Sequence, residues 1–121
     1  MGFLICLFVR YLKFVILLLR KHILTVWSIY NENKILVMPV GIAFENAYKK
    51  RPNFNLHKDY DGTHPNLFGT YLASCIVFSS ITQKSPLLIE YDYFGKITQE
   101  EKKFLQEVAK NTVENFYRIK L

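Results

Sequence analysis

Asp61 stands three residues ahead of His64 in the stretch Asp61-Gly62-Thr63-His64-Pro65-Asn66. A carboxylate at that spacing, on a turn, can accept a hydrogen bond from one ring nitrogen of the histidine. The bond fixes the tautomer and leaves the other nitrogen bare, which is the arrangement of a general base. Asp-Gly favours a tight turn, and Pro65 near a helix start has its φ already set. The same residue types also describe an ordinary loop running into a helix N-terminus. His57 and Asp59 lie just ahead of this stretch, and with His64 and Asp61 they are residue types that bind metals. Their spacing matches no metal cage, so neither a metal nor any other cofactor is expected.

The elements around this stretch must position it. Asn66 to about Thr82 reads as the main apolar helix, with Leu67, Tyr71, Leu72, Cys75, Ile76, Phe78 and Ser79 at helical spacing. Packed on a core, it would hold His64 in a fixed orientation. Gln83-Lys84-Ser85-Pro86 stops it. Upstream, Ile35 to Val40 is a continuous apolar run, as expected of a parallel strand covered on both faces, ending near Pro39. Ile42 to Lys50 is a short helix with Ala43, Phe44 and Ala47 facing inward. Asn53 to Tyr60 is a loop anchored by Phe54 and Leu56. Leu87 to Phe94 alternates only weakly and is ambiguous between a strand and an irregular connection. Thr98 followed by Glu101 is a capping box, and the helix after it runs to about Tyr117. Its inward stripe is Phe104, Leu105, Val108, Ala109, Thr112, Val113 and Phe116.

Three of these stretches, taken in order, resemble the C-terminal part of SGNH/GDSL-type serine hydrolases. They are Val37-Met38-Pro39-Val40-Gly41, Asp61-Gly62-Thr63-His64-Pro65-Asn66 and Gly69-Thr70-Tyr71-Leu72-Ala73. The resemblance covers about Ile35 to Leu121. It implies an α/β fold, here an incomplete three-layer, flavodoxin-like arrangement with few parallel strands flanked by helices. It also implies that Asp61 is the orienting acid and His64 the general base of a Ser-His-Asp triad acting on acyl esters. The family's Gly-Asp-Ser nucleophile block is missing from the chain. Ser28, Ser74, Ser79, Ser80 and Ser85 are its serines, and none stands on a Gly-flanked turn after a strand. The expectation is therefore the Asp-His part of an ester hydrolase, inactive or nearly so alone. Its substrate site would be completed by a missing N-terminal part.

Composition divides the chain into two regions, 1–34 and 35–121. The net charge is +6, of which residues 1–30 carry +4 through Arg10, Lys13, Arg20 and Lys21, with no acid. Residues 3–30 read as an apolar helix with these cations in one stripe. Membrane-surface contact, packing on a sheet, and a targeting segment all remain open for it. Ile23 to Tyr30 can fill the place of the family helix that leads into the strand, whereas residues 1–22 have no counterpart there. A cytoplasmic or membrane-associated location fits, because no cleavage site follows the apolar stretch. Cys6 and Cys75 read as small buried apolar residues. No basic block interleaved with aromatics occurs, so nucleic acid is not an expected partner. A second copy or a complementary chain is, because an unpaired sheet edge invites association. The alternative to a hydrolase segment is thus a non-catalytic interaction or peripheral membrane module using the N-terminal helix.

Overall fold

The computed structural model describes residues 36–121. The apolar segment 3–30 with its basic stripe, Cys6 and Ser28, the polar break at 31–34 and Ile35 lie outside the described residues. The chain divides into two compact units, Met1–Val37 and Met38–Leu121. The second unit holds Asp61 and His64.

Its elements are helix α1 (Val40–Lys50), helix α2 (Leu67–Thr82), a 3-10 turn at Pro86–Leu88 and helix α3 (Gln99–Tyr117). No β-strand or sheet occurs among the described residues; the only pairing of that kind is an isolated bridge between His57 and Pro65. The expected α/β architecture with parallel strands is therefore wrong for this unit. At the expected strand, Leu36–Met38 run without regular structure, and Pro39 takes the N-cap of α1. Val40 and Gly41 wind into the helix, so the apolar run ends as a helix entrance. An unbroken apolar run carries no period that separates a strand from other buried segments. Leu87–Phe94 likewise forms no strand but passes from the 3-10 turn into a loop and turn.

The helices form where local chemistry starts and stops them. Asn66 caps α2, its side chain accepting from the Gly69 N–H at 3.0 Å. Gln83, at φ 53°, closes it in the left-handed conformation with its N–H on the Ser79 carbonyl. Thr98 and Glu101 form the capping box of α3. The Glu101 N–H donates to Thr98 Oγ1 at 3.3 Å, and the Thr98 N–H donates to Glu101 Oε2 at 2.8 Å.

The core lies between α2 and α3, with α1 across both. Leu72, Ile76, Leu105, Val108 and Val113 are almost wholly out of contact with water, as are Leu56 and Ile97 from the connections. Such burial stabilises by roughly 1.5–3 kcal/mol for each large apolar side chain. The predicted stripe of α3 is buried except for Phe116, which is half-buried. Phe54 anchors the loop after α1, its ring 5.1 Å from Phe68 and 5.2 Å from Phe104. Asn46 donates to Thr112 Oγ1 at 3.0 Å and ties α1 to α3. No helix among the described residues is long and apolar enough to cross a membrane.

Candidate functional site

The loop between α1 and α2 is clasped at its base. The Lys58 N–H donates to the His64 carbonyl at 2.8 Å, and the Asn66 N–H donates to the Leu56 carbonyl at 2.9 Å. The Asn66 side-chain amide adds a bond to the Asn55 carbonyl at 2.8 Å. Between these ties the Gly62 N–H reaches back to the Lys58 carbonyl, with Gly62 itself at φ 64°. A left-handed residue is needed here, and glycine adopts it without steric cost.

At the tip of this loop the Asp61 carboxylate engages three donors. Oδ1 accepts the Thr63 N–H at 2.9 Å and the His64 N–H at 3.0 Å. Oδ2 meets His64 Nδ1. An ionised carboxylate is acceptor-only, so Nδ1 carries a proton, and in the neutral ring Nε2 then presents the lone pair. The His64 side chain is 71% exposed and that of Asp61 24% exposed. The ring therefore faces open solvent beside the N-terminus of α2. The Thr63 N–H does most to hold the Asp61 carboxyl below its ordinary range, against partial desolvation, and the His64 ring and N–H add to it.

The two predicted site residues are thus brought together, and the predicted third partner is not. No described serine is hydrogen-bonded to the His64 ring. The Ser74 hydroxyl donates to the Thr70 carbonyl, and Ser85 caps the 3-10 turn. Ser79 and Ser80 are buried in α2, their hydroxyls without partners. None of the four is placed as a nucleophile for His64. Among the described residues, no group of three metal-binding side chains converges.

Tyr48 carried no usable signal in the sequence, and the roles of His57 and Gly69 differ from those the sequence suggested. Tyr48 Oη lies 2.6 Å from His57 Nδ1 and accepts the Leu56 N–H at 3.2 Å. Its ring lies nearly parallel to that of His57, with the centroids 5.8 Å apart. His57, the candidate metal residue, instead joins the base of the loop to α1. Gly69 belongs to the Gly-Thr-Tyr-Leu-Ala stretch already singled out, yet its reason is steric. A Cβ there would meet the Leu56 carbonyl oxygen at 2.2 Å. The first turn of α2 can approach the loop this closely only through glycine.

Comparison with protein families, with curated proteins and with solved structures finds no match to this chain.

Proposed function

We propose that the chain contributes the Asp-His part of a Ser-His-Asp relay, as the C-terminal portion of an SGNH/GDSL-type ester hydrolase. The observation that carries this reading is the Asp61–His64 contact at a solvent-exposed ring, which in the neutral imidazole leaves Nε2 as the free acceptor. In this role His64 takes the proton of an attacking serine hydroxyl and later delivers it to the leaving alcohol. Asp61 holds the tautomer and stabilises the imidazolium formed in between. The nucleophile comes from outside the described residues.

A relay lacking its nucleophile loses roughly 10⁶ in turnover, so the chain alone is expected to be inactive or nearly so toward simple esters. Two measurements test the reading. Nitrogen-15 NMR of His64 should show Nδ1 protonated and Nε2 bare once the ring is neutral; the opposite tautomer removes the general base. Exposure to a fluorophosphonate should leave the chain unlabelled, and efficient labelling of any of its serines overturns the assignment of an external nucleophile.

A further inference from the structure

One side of α2 borders a pocket of about 140 Å³. Leu67, Thr70, Tyr71 and Ser74 form its helical wall, at the spacing of one helix face, and Ile89 and Tyr91 form the facing wall. The wall is rigid. The Tyr71 hydroxyl donates to the Tyr91 carbonyl at 3.0 Å and accepts from Gln106 Nε2 at 3.1 Å. Gln106 also donates to the Ile89 carbonyl at 2.8 Å. Both Tyr71 and Gln106 are buried, so the polar groups behind the wall are spent on each other.

No charged residue lines the pocket. Burial pushes both the Tyr71 phenol and the Cys75 thiol, which also lines the pocket, up to about 12, so both stay neutral near pH 7. The Ser74 proton is already given to the Thr70 carbonyl. The lining therefore offers mainly carbon surface and no partner for a charge. The pocket's size is close to that of a cavity that takes one benzene molecule. The rim is also organised. Tyr93, Phe94 and Gly95 follow one another at φ 59°, 59° and 73°, a left-handed turn that two bulky side chains adopt only under strain. Asp92 Oδ1 accepts the Gly95 N–H at 2.9 Å and the Asp92 carbonyl accepts the Ile97 N–H at 3.1 Å, which holds the turn. The turn sets the Tyr93 ring at the pocket with Tyr91 edge-on beside it at 6.0 Å.

We propose that this pocket is a binding site for one small, uncharged apolar group of about six carbons, and that it seats the acyl end of the ester. The second half of this rests on the hydrolase reading. It is supported by proximity along the chain: Leu67 is three residues after His64, so their Cα atoms are at most roughly 10 Å apart. The pocket wall thus begins within reach of the group that would act on the ester carbonyl.

The test is a titration of the full chain with benzene, followed by the methyl resonances of Leu67, Thr70 and Ile89. Saturable shifts at these methyls are expected, and they should vanish in Ser74→Leu, where an exposed helix position is filled without touching the core. Thr70→Leu is the second filling variant. Shifts that rise linearly without saturation, or that survive both variants, overturn the site. Methyl hexanoate then tests the occupant. Nuclear Overhauser contacts from its terminal methyl to Leu67 and Ile89 place the acyl end inside, and contacts from its methoxy end there instead overturn that half. Neither readout uses His64, so a wrong tautomer at His64 would sink the hydrolase reading while leaving benzene binding intact.

Discussion

Tyr48 and His57 are joined edge to edge with their rings nearly parallel, the Tyr48 hydroxyl 2.6 Å from His57 Nδ1 and the Leu56 N–H donating to the same oxygen at 3.2 Å. One hydroxyl on α1 thus serves two groups at the foot of the loop that carries Asp61 and His64. Tyr48→Phe removes both bonds and leaves a backbone N–H at a fully buried residue without its partner. The expected cost is about 1–3 kcal/mol, measured by chemical denaturation. Amide exchange should quicken at Leu56 and Lys58 ahead of the helices.

Asp61 makes the loop sensitive to acid. Its folded carboxyl titrates below the ordinary carboxylate value, with the Thr63 N–H as the main cause. The stabilisation is therefore complete above the ordinary value and is lost as pH falls through the lowered one. Carbon-13 titration of the Asp61 carboxyl should show that depressed midpoint. In Asp61→Asn the acid-side loss should disappear, and the His64 ring should lose its preference for the Nδ1-protonated tautomer.

Gly69→Ala should be destabilising even though alanine is the better helix former. The propensity gain is about 1 kcal/mol. Against it stands a methyl placed 2.2 Å from the Leu56 carbonyl and 3.0 Å from both Phe44 and Pro65. Backbone lies on one side of the clash, so the loop must move, and a net loss of about 1–3 kcal/mol is expected. Hydrogen exchange at Asn66, whose N–H bonds that same carbonyl, reports the displacement.

Phe94→Asn should act in the opposite direction. Phe94 is 88% exposed and sits at φ 59°. Its ring touches only the edges of Tyr91 and Tyr93, at 5.8 Å and 6.3 Å. Asparagine tolerates the left-handed region far better, so the variant should gain on the order of 1 kcal/mol, seen as a higher Tm.

Legibility in the residues tracks the range of the interactions. The capping box at Thr98 and Glu101 and the inward stripe of α3, Phe116 apart, are local patterns, and they fold as the sequence implies. The Asp61–His64 contact is also local and was legible for the same reason. The strand expected at Ile35–Val40 was not, because an unbroken apolar run has no period and Pro39 serves equally well to open a helix. Gln106 lies between Leu105 and Glu107 and looks like a surface residue. Only the approach of Ile89 and Tyr71, distant in sequence, turns it into a buried donor. The Tyr48–His57 pair is hidden in the same way, since nothing in their spacing says that α1 folds back over the loop.

The bonds made by the Asp61 carboxylate, which orient the His64 ring, begin and end within Asp61-Gly62-Thr63-His64, and Lys58 ties that turn closed through the His64 carbonyl and the Gly62 N–H. The pair is in effect part of a short cassette. Its geometry would survive transplantation only together with the Lys58 ties that close the turn, so the smallest portable unit runs from Lys58 to His64.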